Sequence, residues 1–474
     1  MVRQEAVVMS YIRGLRLGAA AVAILGFSLS AAHAESLKQA LSAAYANNPS
    51  IKAALASVKI AAENIALYKA NTRPVIGVGG NIEDTVVSAD GKVSHTPSTT
   101  LGLTYSQTIY DNHATDANIE QARANVEVAK QTLRTTESSV MLSAVEAYMN
   151  VILYTQLVQL RTDTVQFYQS QVKAAQDKQN IGEGTKIDVA EAQASLASAV
   201  ASQKSASASL QTAEASYVHY VGHKPHNLSS DFNYGTTIPA GVEAAVSLAA
   251  ANNPSVLSAK ATIRAEAAAA IAAAAAFGPT VSATGSLGPT FSSTCSGSCT
   301  GNAPEISGTM KLSFSLPVYS GGGLGAAQRQ ADLTRLKSDF DAQAELASAT
   351  DTAVSSWTSL QNTAAQITSA IAAVDAYQLA LNGVIQERDV GQKTTLDVLN
   401  AESTLISYKE TLITANANRV TAAFTLISAI GRMSPKDLGL NAAPKSAQHY
   451  IQAVEDTWQE ARTLEPLPRP AWRN

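Results

Sequence analysis

Ile181-Gly182-Glu183-Gly184-Thr185-Lys186-Ile187-Asp188-Val189 is written a second time, 209 residues on, as Val390-Gly391-Gln392-Lys393-Thr394-Thr395-Leu396-Asp397-Val398. The register holds beyond the segment. Gly182 falls on Gly391, Thr185 on Thr394, Asp188 on Asp397, Ala192 on Ala401, Leu196 on Leu405 and Gly222 on Gly431. Chance gives one such pair, hardly six in register. Upstream, Ile109-Tyr110 is matched by Val318-Tyr319 at the same spacing, and Ala46-Asn47-Asn48-Pro49-Ser50 recurs as Ala251-Asn252-Asn253-Pro254-Ser255. A repeat this long is unlike the roughly 20 to 50 residue period of solenoids, so it marks a duplicated half-domain.

Each half reads in the same order. Two helical segments come first, at about 37–47 and 49–71 and again at 242–251 and 254–277, with Pro49 and Pro254 at a first-turn position that tolerates proline. A strand hairpin follows, about 75–110 and about 280–319. In the second half Ile306, Met310, Leu312, Phe314, Leu316 and Val318 alternate with Ser307, Thr309, Lys311, Ser313 and Ser315. Leu101, Leu103, Tyr105 and Ile109 do the same against Thr104, Ser106 and Thr108, as do Val281, Ala283 and Leu287 against Ser282, Thr284 and Ser286. One face is apolar and the other polar. Each run reaches about the 9 to 11 residues of a tilted membrane strand. A soluble half-buried sheet alternates in the same way; the secretory signal at the start of the chain, described below, favours the membrane barrel. Four strands cannot close a barrel, and lipid forbids open edges. Copies of the chain must therefore pool strands, two copies for eight or three for twelve.

Last in each half comes a very long helical stretch. No proline occurs between Pro97 and Pro225 or between Pro317 and Pro435, and interior glycines gather at Gly182/Gly184 and at Gly391. Glycine suits a helix stop and turn, so each stretch predicts an outgoing helix, a tight tip and a returning helix that ends at Gly222 or Gly431. At 1.5 Å per residue, 113–180 spans on the order of 100 Å. Val398, Leu405 and Leu412 fall seven apart, as do Val189 and Leu196, which is coiled-coil spacing. Periodicity alone also allows an elongated bundle without a lumen.

The chain of 474 residues begins with Arg3, Arg13 and Arg16, an uncharged run from Leu17 to Leu29, and Ala32-His33-Ala34. This predicts a cleaved secretory signal over 1–34 and a mature chain from Glu35. No Cys follows the cleavage site to accept a lipid. Charged residues are 15% and aromatics 5%, and long Ala, Ser and Thr stretches suit helices packed closely on one another. The net charge is −4, and the signal carries +2, leaving −6; no nucleic-acid footprint is present. The longest mature apolar run, Ala267 to Phe277, is too short for a spanning helix. The expected division is 1–34 signal, 35–222 first repeat, 223–241 linker, 242–431 second repeat and 432–474 C-terminal segment, the last holding a peripheral helix and a disordered end.

Chemistry-bearing constellations are sparse. Cys295 and Cys299 lie in a Ser/Gly-rich loop of an exported protein, which predicts a local disulfide; a two-thiolate metal site would lack the other two ligands zinc needs. His219 and His223 are one helical turn apart with His226 near, but no acidic or Cys residue adjoins them in sequence, and no metal is expected. There is no GxSxG, HExxH or P-loop, and Gly321-Gly322-Gly323-Leu324-Gly325 lacks a phosphate-binding Lys. No enzyme and no cofactor are expected.

From Glu35 to about Gly439 the order of elements resembles the TolC-like outer-membrane efflux proteins. The sharpest local likeness is Val390-Gly391-x-x-Thr394-x-x-Asp397-Val398-Leu399, with its copy at Gly182. The resemblance implies a mainly α fold in which three chains, four strands each, form a twelve-stranded β-barrel continued by a helical coiled-coil tunnel. It places the chain in the outer membrane of a Gram-negative cell, among lipid, and extending into the periplasm. It implies the exit duct of a tripartite efflux or type I secretion system, fed by an inner-membrane pump of the RND or ABC type. Gly182, Gly184, Thr185, Gly391 and Thr394 would then lie at the tips where a periplasmic adaptor docks. Asp397, Lys393 and Asn400 would lie at the constriction, Asp397 making an acidic ring and Lys393 joining a salt-bridge network. The family commonly has a second aspartate where this chain has Asn400, so cation block is not expected to carry over. Asp397 and Asp188 also read as simple helix-start carboxylates favoured by the dipole. Two other functions fit the same sequence: a non-conducting periplasmic coiled-coil scaffold or tether, and a soluble exported binding protein.

Overall fold

The computed structural model describes residues 34–230, 232, 238–295, 298–301, 303–458, 460 and 464. The expected signal segment and most of the chain's last residues lie outside them. The first half contains α1 (Leu37–Asn47), α2 (Pro49–Ala70), β1 (Val75–Ala89), β2 (Lys92–Tyr110), α3 (Ala114–Asn180) and α4 (Lys186–Val221). The second contains α5 (Val242–Asn252), α6 (Pro254–Ala275), β3 (Thr280–Cys295), β4 (Cys299–Gly301), β5 (Glu305–Ser315), α7 (Gly323–Asp389) and α8 (Thr395–Ala429). A last helix, α9 (Gln448–Asp456), follows. The outgoing helices α3 and α7 each have 67 residues, about 100 Å at 1.5 Å per residue.

Local chemistry explains why the repeated motifs recur. The side chains of Asn48 and Asn253 each accept from the backbone N–H two residues on, at 2.9 Å, and proline fills the first helical position that follows. Asn-Asn-Pro-Ser is thus an N-cap written twice. At the strand-to-helix turns the copies share geometry but not residues. Asn112 (φ 54°) and His113 (φ 65°) answer to Gly321 (φ 60°) and Gly322 (φ 83°), and left-handed backbone is tolerated by Asn and His and free for Gly. Asp111 Oδ2 accepts from the Thr115 N–H at 2.8 Å and caps α3.

The main core lies midway along the molecule, where α1, α2, α3, α4 and α8 meet around the buried Tyr45, Met141, Tyr148, Tyr217 and Ile427. Along the long helices packing thins to short clusters, such as Val165, Tyr168, Ala199 and Leu399 and Leu381, Val398 and Leu405. Ala261, Ala265 and Ala268 of α6 are buried, the close approach that small side chains allow. The C-terminal segment contains the expected helix, α9, docked along α2. Ile451 and Val454 of α9 are buried, and Lys445 Nζ donates to the carbonyls of Tyr45 at 2.6 Å and Ala46 at 3.2 Å.

The long strands run antiparallel in the order β1-β2-β3-β5, with the short β4 pairing only the far end of β3. The β2–β3 seam joins the two halves, and β1 and β5 are edges. Strand β5 ends at Ser315 rather than near 319, because Pro317 has no N–H to continue a ladder. Register gathers the apolar residues onto one face. Val78 lies opposite Leu103, Leu103 opposite Leu287, Ala283 opposite Leu312, and Val281 opposite Phe314. The other face carries hydroxyls, with Thr104 opposite Ser286 and Ser286 bonded to Thr309 Oγ1 at 2.8 Å. Among the described residues no helix is long and apolar enough to cross a membrane.

Candidate functional site: the helix tips and the sheet wall

Each outgoing helix stops by the same device. The N–H of Glu183 donates back to the carbonyl of Lys178 at 2.9 Å, and that of Gln392 to the carbonyl of Glu387 at 2.8 Å. The intervening Gly182 (φ 83°) and Gly391 (φ 79°) adopt the left-handed backbone this closure requires. Gly184 meets a different constraint: a Cβ there would lie 3.0 Å from the backbone nitrogen of Gln179. The returning helices start on matched capping boxes. Asp188 Oδ2 accepts from the N–H and hydroxyl of Thr185 at 2.9 and 2.7 Å, and Asp397 Oδ2 from those of Thr394, both at 2.8 Å. In return each threonine hydroxyl accepts from its aspartate's N–H at 3.2 Å. The backbone N–H and then the hydroxyl of Thr394 hold the Asp397 carboxyl below its usual range, with Lys393 adding to the effect. For Asp188 the Thr185 hydroxyl comes first and its N–H second.

Thr185, Thr394, Asp188 and Asp397 are therefore cap residues in the single chain, and Gly182 and Gly391 are turn residues. Asn400 lines a groove of 440 Å³ between the two helical hairpins, shared with Arg161, Tyr168, Ser195 and Glu410. The hairpins are tied together by Arg161 to Glu410 at 2.5 Å and by Arg388 Nη1 donating to Gln171 Oε1 at 2.7 Å. Glu402, buried in α8, has its carboxyl pushed up by desolvation.

The tips also carry residues that sequence reasoning passed over. Ile181 (70% exposed) and Ile187 (69%) stand out from the first tip, and Val390 (72%) and Leu396 from the second. They are repeat partners at the same 209-residue spacing. The signal was present, because apolar residues flanking a turn glycine have no core to enter at the end of a two-helix hairpin.

Elsewhere, Cys295 is disulfide-bonded, and the β3–β4 register sets residue 295 opposite 299. The side chain of Cys299 lies outside the described residues. The histidines gain an acidic neighbour that sequence spacing hid. His223 Nε2 is 3.4 Å from Glu35 Oε1, which also accepts from the Tyr217 hydroxyl at 2.7 Å. The Tyr148 hydroxyl lies 2.7 and 2.8 Å from the Glu35 and Ser229 carbonyl oxygens, which share its one proton, and burial pushes the phenols of Tyr148 and Tyr217 up. This is a clamp on the start of the fold. Among the described residues no group of three His, Cys, Asp or Glu side chains could hold a metal ion.

Comparison with known proteins gives a consistent picture. The family model described as outer membrane efflux protein matches twice, over residues 40–223 and 245–432. The outer membrane efflux protein BepC of Brucella suis biovar 1 is 33% identical over 451 residues, covering 94% of this chain and 97% of that protein. The outer membrane protein TolC of Escherichia coli is 25% identical, covering 88% and 86%. The Campylobacter jejuni CmeC outer membrane channel superposes with a TM-score of 0.75 at 16% identity, covering 89% of each chain.

Proposed function

The chain belongs to the outer membrane efflux protein family, and from that premise we propose that three copies build one passive exit duct from the outer membrane across the periplasm. The observation that carries this reading is the sheet: one continuous apolar face, and two unpaired edges, β1 and β5. In lipid each unpaired backbone group costs several kcal/mol, so the edges must be closed by further copies. Two copies would give eight strands, whose interior side chains fill. Three give twelve and leave a lumen, lined by the hydroxyl face. The 67-residue helices then continue the wall as a tunnel.

In this reading an inner-membrane pump, of the RND or ABC type, passes substrates through a periplasmic adaptor into the tunnel, in tripartite efflux or type I secretion. The adaptor docks at the tips. Gly182, Gly184, Thr185, Gly391 and Thr394 set their shape, and Ile181, Ile187, Val390 and Leu396 supply apolar contact. Asp397, Lys393 and Asn400 line the constriction, where three Asp397 carboxylates make a cation-attracting ring. The duct itself hydrolyses nothing. The test is reconstitution into planar bilayers with the mass of the complex measured alongside. A conducting, heat-modifiable complex of three chains is expected. A complex that never conducts points instead to a periplasmic scaffold or tether.

A further inference from the structure

The C-terminal segment climbs from the core to the root of the sheet. It is pinned first at Lys445, whose N–H donates to the Tyr45 hydroxyl at 2.8 Å. Helix α9 then lies along α2. Lys59 Nζ stacks 4.9 Å from the Tyr450 ring centre, and the Tyr450 hydroxyl donates to Glu63. Lys69 Nζ donates to the Glu455 carbonyl at 2.9 Å and Arg73 Nη1 to the Thr457 carbonyl at 2.8 Å. The last two place cations on the carbonyls at the end of α9, its negative pole. The partners on α2 and beyond advance from residue 59 to 73, so the strap brings Trp458 beside Val75, where β1 begins.

What it presents there is Trp458, 70% exposed, with the Arg73 guanidinium 4.5 Å from its ring centre. The apolar residues of α9 itself, Ile451 and Val454, are already buried, so the indole is not part of that packing. Its neighbours Val75 and Ile76, both exposed, open strand β1, and Ile76 belongs to the apolar face of the wall. Together these residues border a cavity of 520 Å³ whose lining also includes Glu63 and Glu460.

We propose that this strap is a membrane-surface contact: Trp458, backed by Arg73, enters the headgroup layer of the periplasmic leaflet, and a zwitterionic phospholipid headgroup occupies the cavity. The patch is continuous with the lipid-facing wall, which fixes its occupant as the bilayer that wall sits in. An indole with an apolar body and one polar N–H is suited to that layer. The cavity carries both signs of charge, as a headgroup with a phosphate and an ammonium requires. The inference rests on the outer-membrane placement of the family, not on the gate or the adaptor.

The full chain is reconstituted in phosphatidylethanolamine vesicles containing phosphatidylcholine brominated either near the headgroup end of its acyl chains or near their ends. The wild-type protein is compared with Trp458→Phe, and heat-modifiable migration of the same samples reports insertion. Shallow bromines should quench wild-type emission more than deep ones, and the difference should vanish in Trp458→Phe. An inserted protein whose Trp458 emission ignores bromine depth, as burial against a second copy would produce, overturns the contact. Quenching that is equally strong when shallow-brominated phosphatidylglycerol replaces the brominated phosphatidylcholine overturns the zwitterionic assignment.

Discussion

Asp188 and Asp397 hold equivalent positions and make matching hydrogen bonds to their threonines. Within the chain their surroundings differ, with Lys393 beside Asp397 and Lys178 near Asp188. Asp188→Asn and Asp397→Asn should weaken their helix starts alike, which amide exchange at the first turn would show. A change in cation selectivity confined to the Asp397 variant is expected if that carboxylate lines the constriction; equal single-channel behaviour would leave both as caps. Both carboxyls are held below their usual range, so the capping boxes should persist at mildly acidic pH and fray only as pH falls through those depressed values. Glu137 carries the opposite sign. Burial pushes its carboxyl up, against the Tyr45 hydrogen bond and the Lys445 and Arg134 charges, while burial above all raises the Tyr45 phenol to about 12. A carboxyl with a raised value binds its proton more tightly folded than unfolded, so stability declines as pH rises from the ordinary carboxylate range toward the folded value. Glu137→Gln should make that decline shallower, leaving the share from the likewise raised Glu402 carboxyl, as melting temperatures followed by circular dichroism across the window would show.

At the scale of elements, the duplicated parts differ in how tightly they close. Gly222 (φ 96°) ends α4 and Gly431 (φ 72°) follows α8. An added Cβ would lie 4.0 Å from Asn47 Cβ in the first copy but 2.3 Å from the Asn252 carbonyl oxygen in the second. Gly222→Ala should therefore cost only the left-handed backbone penalty, about 1–2 kcal/mol. Gly431→Ala must also push α5 away, and a larger drop in thermal stability is expected. The β2–β3 seam is tight for a related reason. A Cβ on Gly288 would lie 2.1 Å from the Leu101 carbonyl oxygen, so the two halves of the sheet meet backbone to backbone where no side chain fits.

At the scale of the whole molecule, the chain is an incomplete object: an outer-membrane channel subunit whose sheet has two edges and whose apolar face has no covering layer. Ile82, 85% exposed, shows how little of that face is buried within one chain. Lipid covers the face in the family's setting, which gives the two faces opposite tolerances. Leu103→Lys puts a charge on the lipid side and should cost about 2–4 kcal/mol if the position is near the bilayer midplane, read as lost assembly. Thr104→Lys, one residue on and facing the other way, should assemble normally and shift single-channel conductance. Matching outcomes for the two variants would deny the wall its two-sided character.

The repeat, the strand faces and the helix tips were legible in the sequence because each depends on local chemistry. Asn-Asn-Pro-Ser is a cap, glycine is a turn, and alternation survives any register that keeps both faces. What joins distant segments was not legible. Glu35 meets Tyr217 and His223 across the first repeat, and the C-terminal strap is bonded to Tyr45 and Arg73. Sequence spacing carries no trace of such contacts, since loop closure costs only slowly more with chain separation. The exposed Ile181, Ile187, Val390 and Leu396 fall between the two cases. Their repetition was visible, but only the folded hairpin decided that they had nothing to pack against. The sequence by itself determined the elements and their order; tertiary structure alone decided which distant segments are clamped together and which apolar residues remain uncovered, because both depend on contacts between residues far apart in the chain.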